Sequence, residues 1–189
     1  MTEASCKRLA DKIHLLPIDL KIHRSKVTAL LEEYAEWLAK EAKEHYQIDY
    51  FAVAETSISE YVAYTINKLL SDTSSPHIYY LVELEGATIG MGALHQTSEN
   101  VAEIKRMYIR PAHRRKGYGK TLLQQLLQKT KDLGCHTIHL ETAHFMIAAQ
   151  NLYHSHGFIE RNEYPETEIP PQLKHIWLYM ETTQQNTTK

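Results

Sequence analysis

The chain is 189 residues long, 43% hydrophobic and 23% charged, which describes an ordinary globular protein with enough material for one substantial core. Its formal net charge of −2 excludes the broad basic excess of a dedicated nucleic-acid binder. Cys6 and Cys135 make neither a disulfide framework nor a zinc ribbon, no run approaches the roughly 20 apolar residues of a membrane helix, and Met1–Lys12 lacks the apolar stretch of a secretory signal, so a cytoplasmic protein without a membrane partner is expected.

Ile13–Pro17 is a candidate first strand. Val27, Leu30, Leu31, Tyr34 and Leu38 then recur at helical spacing, with Glu32, Glu33, Glu36, Lys40 and Glu41 on the solvated face. Ser57 or Ser59 caps a second helix with Tyr61, Val62, Ile66, Leu69 and Leu70 on its apolar side. The polar cluster Ser71–Pro76 reads as a loop. Ile78–Leu84 and Thr88–His95 flank Glu85-Gly86 and predict a hairpin. A polar turn at Gln96–Asn100 leads to a strand, Val101–Ile109.

A helix from about Gly119 buries Leu122, Leu123, Leu126, Leu127 and Leu133, and Gly134 ends it. Thr137–Thr142 predicts a strand and Phe145–His156 a helix that stops at Gly157. Phe158–Glu163, a proline-rich turn through Pro165, Pro170 and Pro171, and a strand His175–Glu181 complete the pattern. Residues from about 183 read as a frayed tail, matching frayed residues at about 1–10, around a single domain spanning 1–189.

The most informative run is Arg114-Arg115-Lys116-Gly117-Tyr118-Gly119-Lys120, between a strand and an amphipathic helix. Glycine lets the backbone approach a ligand closely and take positive φ. A helix start offers unpaired N–H groups and the positive end of a dipole, so the expected ligand is a phosphate or pyrophosphate. A P-loop requires glycine where Arg114 stands, although Gly119-Lys120-Thr121 matches its ending. A dinucleotide turn requires a third glycine beyond Gly117 and Gly119. The pattern satisfied is R-x-x-G-x-G. It absorbs the local basic patch of Arg110, His113, Arg114, Arg115, Lys116 and Lys120 without invoking nucleic acid.

The histidines give no metal site. His154 and His156 lie two apart on a helix, His136 and His139 three apart around a strand, and no cysteine or carboxylate spacing completes either pair.

With Ala102–Pro111 before it, and L-E-T-x-x-x-M-x-x-A (Leu140–Ala149) and L-Y-x-x-x-G-F (Leu152–Phe158) after it, this loop resembles the GCN5-related N-acetyltransferase (GNAT) family over roughly residues 78–181. One common family feature differs: an Asn early in the second of these helices is Met146 here. The resemblance implies an α/β fold with a mixed, mostly antiparallel twisted sheet, splayed central strands and helices on both faces. It implies acetyl-CoA as co-substrate, no metal, and direct acetyl transfer to an amine in a ternary complex. Met107, Tyr108 and Ile109 are then expected to offer backbone groups to pantetheine, with the Met107 N–H polarising the thioester carbonyl. The N–H groups of Arg114, Arg115, Lys116, Gly117, Tyr118, Gly119 and Lys120 are expected to hold the pyrophosphate, and Arg114 and Arg115 to add side-chain charge. Glu103 matches the family's strand-four base and Tyr153 the acid that faces the leaving sulfur, while His144 is the auxiliary base candidate. The two early helices and the final hairpin, with Tyr164, Glu168 and Pro170, are expected to shape a pocket for a small primary amine such as an amino acid, polyamine or amino sugar. A non-catalytic acyl-CoA sensing domain and a protein-directed acetyltransferase remain the alternatives, and a homodimer is a family-level expectation.

Overall fold

The computed structural model describes residues 13–71, 77–165 and 167–184. Cys6, the N-terminal stretch through Lys12, the loop at 72–76 and the tail at 185–189 lie outside the described residues.

Strand β1 (Ile13–Pro17) is followed by three helices: α1 (Leu20–Tyr46), the single turn α2 (Tyr50–Val53) and α3 (Ile58–Ser71). Asp19 caps α1 by accepting from the Lys21 N–H at 2.8 Å, and Val27, Leu30, Leu31, Ala35, Leu38 and Ala42 form its buried stripe. Ser57 caps α3 in a reciprocal box: its hydroxyl accepts from the Glu60 N–H, and the Glu60 carboxylate accepts from the Ser57 N–H. Next come β2 (His77–Leu84), β3 (Ala87–Ser98) and β4 (Val101–Ile109), a meander whose first turn is Glu85-Gly86. The second turn is only Glu99-Asn100, so β3 reaches further into the expected polar turn than its composition suggests. Helix α4 (Tyr118–Asp132), β5 (Thr137–Ala143), α5 (Ile147–His154), β6 (Ile159–Arg161) and β7 (Trp177–Thr183) complete the chain. β7 runs to Thr183, and the Gln184 N–H donates to the His136 carbonyl at 2.8 Å, so the sheet extends into the predicted tail.

The strands form one seven-stranded sheet in the order β1-β2-β3-β4-β5-β7-β6, antiparallel except for β4–β5. Alternation along each strand sends side chains to opposite faces. Tyr80, Val82, Ile89, Leu94, Ala102, Ile104, Ile138 and Leu140 pack beneath α4 and Tyr153 of α5. Leu81, Met91 and Tyr108 face the other way, against Val27, Leu30 and Leu31 of α1 and Val62 and Ile66 of α3.

Tyr108 breaks the period. Ala102 and Ile104 share the α4 face, and an uninterrupted strand would place Tyr108 there too. Arg106 adopts a left-handed backbone, φ 53°, where the register against β3 shifts, and this bulge inverts the alternation. Just beyond the bulge the two strands approach closely at Gly90, where a Cβ would lie 2.4 Å from the Tyr108 carbonyl oxygen. Gly90→Ala is expected to cost about 1–3 kcal/mol through overpacking, measured as a shift in the denaturant midpoint at unchanged slope.

Candidate active site

Helix α4 starts behind Gly117, whose φ of 89° no residue with a side chain adopts easily, and no side chain caps it. Arg115 is also left-handed, at 60°. Among the described residues, the backbone N–H groups of residues 115–120 find no protein acceptor. Gly119 corrects one expectation: it is helical, so it is not needed for a positive φ. A Cβ on Gly119 would meet only Leu152 Cδ2 at 3.7 Å and Ile109 Cγ1 at 4.0 Å, which is ordinary contact. The protein therefore has room for a side chain at this position.

The basic side chains near this cradle are partly committed elsewhere. Arg114 Nε donates to the Ile109 carbonyl at 2.8 Å, and its guanidinium lies 4.7 Å from the Trp37 ring centroid. These contacts tie the loop to β4 and α1 and occupy one of the Arg114 donors. Arg110 is removed from the basic patch, forked onto Glu33 at 2.8 and 2.6 Å and bonded to the Thr88 carbonyl at 2.6 Å. Lys116 Nζ donates to the Ala112 carbonyl at 3.0 Å. Arg115 and Lys120 stay exposed, while the Tyr118 ring is buried in the core.

Beside the cradle, β4 and β5 separate. Their parallel ladder ends at Ile104–Leu140, yet β4 continues to Ile109 and β5 to Ala143. On one side of this opening stands Tyr153, 6% exposed, packed on Phe158 with its hydroxyl donating to Met107 Sδ at 3.9 Å. Burial pushes its phenol above the ordinary range, so it stays protonated.

On the opposite face lies a cavity of about 210 Å³. Its walls include Tyr34, Tyr50, Phe51, Tyr61 and Trp177, and its polar end carries Glu103, Lys105, Arg106, Glu141 and Glu168. Glu103 is 2% exposed, and both oxygens are engaged: Oε1 accepts from the Tyr164 hydroxyl at 2.9 Å and Oε2 meets Lys105 Nζ at 3.0 Å. Tyr164 is held in place by stacking on His139 at 4.5 Å. Lys105 also meets Glu168 at 3.0 Å, and Glu168 pairs with Lys68 and lies 3.8 Å from Arg106. Burial opposes the charge of Glu168, but Lys105, Lys68 and Arg106 hold it down at about 2. Burial also opposes the charge of Lys105, and Glu103 and Glu168 override it, leaving Lys105 above its ordinary value. Glu141, whose carboxylate accepts from the Thr167 hydroxyl, is pushed up to about 7, by burial first and by the neighbouring Glu103 second.

The sequence candidates therefore divide. Tyr118 and Tyr153 lie on the α4 face, Arg114 packs toward α1, and Glu103 lines the cavity on the α1 face. His144 is exposed and does not line this cavity. Met146 packs in the cluster of Ala35, Leu38 and Trp177, where its sulfur accepts from the Thr142 hydroxyl at 3.6 Å. Sequence reasoning did not single out Lys105, Arg106 or the Glu141 side chain as parts of this cavity. Strand parity offered a signal for two of them, because Lys105 and Glu141 share a face with Glu103 once β4 and β5 are adjacent.

A family model described as the acetyltransferase (GNAT) family matches residues 29–158. An uncharacterized N-acetyltransferase of Escherichia coli K12, YjgM, is 33% identical over 97 residues, covering 49% of this chain and 58% of that protein. The matched region thus spans under two thirds of this curated relative. Among solved structures, PaiA N-acetyltransferase from Thermoplasma acidophilum in complex with coenzyme A superposes with a TM-score of 0.65 at 16% identity, covering 91% of this chain and 99% of that one. Spermidine N-acetyltransferase from Vibrio cholerae in complex with CoA and spermine gives 0.63 at 20% identity, over 92% and 96%. Among the described residues, no helix is long and apolar enough to cross a membrane.

Proposed function

Because the chain belongs to the acetyltransferase (GNAT) family, we propose that it transfers an acetyl group from acetyl-CoA directly to the amine of a small acceptor. The observation that carries this reading is the opening between β4 and β5, with a cradle of N–H donors on one side and a carboxylate-bearing cavity on the other. The residues fit the co-substrate: the N–H groups of residues 115–120 suit a pyrophosphate, and Gly119 leaves room for it. The backbone of Met107, Tyr108 and Ile109 borders β4 where it has lost its β5 partner, suited to an extended pantetheine arm. Bound there, acetyl-CoA supplies the thioester. The chain's part is to orient the amine, remove its proton at the carboxylate end, and present the Tyr153 hydroxyl to the departing sulfur.

The cavity also supports a reading of the acceptor. Its volume lies below the usual span for drug-sized ligand pockets, roughly 300–1,000 Å³, which favours a compact molecule over a protein tail. Aromatic walls suit an amine with an apolar body and add cation–π attraction to its ammonium. Glu103 and Glu168 already meet cationic side chains of the protein, leaving little for the extra charges of a polyamine.

The test is a panel of monoamines, polyamines, amino sugars and lysine-bearing peptides, with thiol release and mass detection of acetylated product. The expected result is highest kcat/KM for a compact monoamine with an apolar body. A peptide or polyamine preferred tenfold or more would overturn the acceptor class. Tight CoA binding without thiol release from any amine would favour a sensing domain instead.

A further inference from the structure

The cavity holds three carboxyl groups, and their surroundings differ. Glu103 has one oxygen on Tyr164 and the other on Lys105. Glu168 is shared among Lys68, Lys105 and Arg106. Glu141 meets no lysine or arginine at ion-pair distance among the described residues; its protein partner is the neutral hydroxyl of Thr167. It is half-buried and lines the cavity. Glu141 is the first residue of β5 beyond the last β4–β5 pair, Ile104–Leu140, so it stands at the fork where the strands part, on the face it shares with Glu103.

Resting on the activity proposed above, we propose that Glu141 takes the proton from the acceptor amine and that Glu103 is a positioning residue that acts through it. An ammonium has no lone pair for attack, so the proton must leave before the new bond forms. A carboxylate already neutralised by a lysine is a weak place to put it, and one without a cation is a better one. In the balanced sequence, one ammonium proton goes to Glu141. The nitrogen lone pair then forms the bond to the thioester carbonyl carbon. The carbon–sulfur pair leaves on sulfur, sulfur takes the Tyr153 hydroxyl proton, and the second nitrogen proton restores Tyr153. The proton on Glu141 passes to solvent.

Charge accounts for the division of labour. The groups facing Glu141 are Glu103 and Lys105 from β4, Tyr164 and Glu168 from the segment after β6, Tyr50 from α2 and Tyr179 from β7. Burial and the Glu103 carboxylate raise Glu141, and Lys105 and the Thr167 hydroxyl work the other way. Activity therefore rises as pH rises through about 7, as Glu141 becomes able to accept a proton.

The experiment compares pH profiles of kcat/KM for wild type, Glu141→Gln and Glu103→Gln, using the best amine of the panel. Carboxyl titration is followed in parallel by infrared difference spectroscopy of the enzyme without substrates. Glu141→Gln should lower kcat/KM by about 10²–10⁴-fold, erase the ascending limb and remove a carboxyl band that titrates near neutrality. Glu103→Gln should keep both, displaced to lower pH because a neighbouring negative charge is gone. A Glu141→Gln enzyme that keeps the wild-type limb, or a Glu103→Gln enzyme that loses it, overturns the assignment of Glu141 while leaving the acetyltransferase reading intact. A wild type that acetylates no amine removes the activity and the assignment with it.

Discussion

Gly119→Val is expected to lower affinity for CoA by about 100-fold or more, equivalent to roughly 2.7 kcal/mol, without unfolding the protein. The expectation rests on two measurements that separate binding from folding. Gly119 lies in the first turn of α4 with helical backbone, so no strained conformation is lost on substitution. Inside the protein, an added Cβ makes only ordinary contacts, at 3.7 and 4.0 Å. On the proposed reading the phosphates rest on the N–H donors of residues 115–120, and a branched side chain at 119 would obstruct that approach. Titration calorimetry with CoA reads the first effect and a thermal melt reads the second. Gly119→Ala serves as the milder partner, since alanine is the better helix former and should retain or raise the melting midpoint while still weakening CoA. Unchanged affinity in a folded Gly119→Val protein would show that pyrophosphate does not bind here.

Tyr153→Phe should lower turnover by about 10²–10⁴-fold with CoA affinity little changed. The hydroxyl is suited to protonating the departing sulfur because burial keeps the phenol protonated. Its loss leaves little unsatisfied, since its partner in the protein is the weakly accepting sulfur of Met107 at 3.9 Å. The ring keeps its packing on Phe158, with centroids 5.8 Å apart, so stability should hardly move. The ascending limb of the pH profile should stay in place, because the proposed mechanism assigns that limb to Glu141. Rapid-quench measurement of the chemical step provides the check, and wild-type turnover in Tyr153→Phe would transfer the acid role elsewhere.

The two ends of the proposed site lie on opposite faces of the sheet. Tyr153 and the start of α4 lie on the face covered by α4 and α5, while Glu103, Glu141 and Glu168 line the cavity on the face covered by α1 and α3. A sheet normally separates its two faces. Here the lost pairing beyond Ile104–Leu140 makes an opening through which they can act on one reaction centre.

Local chemistry was enough to read much of this from the chain. Val27, Leu30, Leu31 and Leu38 carry a helical period, Glu85-Gly86 makes a turn, and Gly134 and Gly157 end helices with φ of 74° and 83°. The loop from Arg114 to Lys120 was equally legible, because a cradle of backbone donors needs only glycine, a strand end and a helix start in sequence order. Side-chain partners were not legible, because they depend on residues far apart in the chain. The contacts of Arg114 with Trp37 and of Arg110 with Glu33 arise only when α1 comes against them. Glu103 looked like a lone carboxylate until Tyr164, 61 residues later, closed over it. The bulge at Arg106 has no compositional signature, since it is imposed by the pairing of β4 with β3 beside Gly90. Sequence thus determined the elements and the glycine-containing strand-to-helix turn, whose physics is local. Tertiary structure decided which charges remain unpaired, because electrostatics and burial act through space and Glu141 gains its setting only when β4, β5 and the segment after β6 meet.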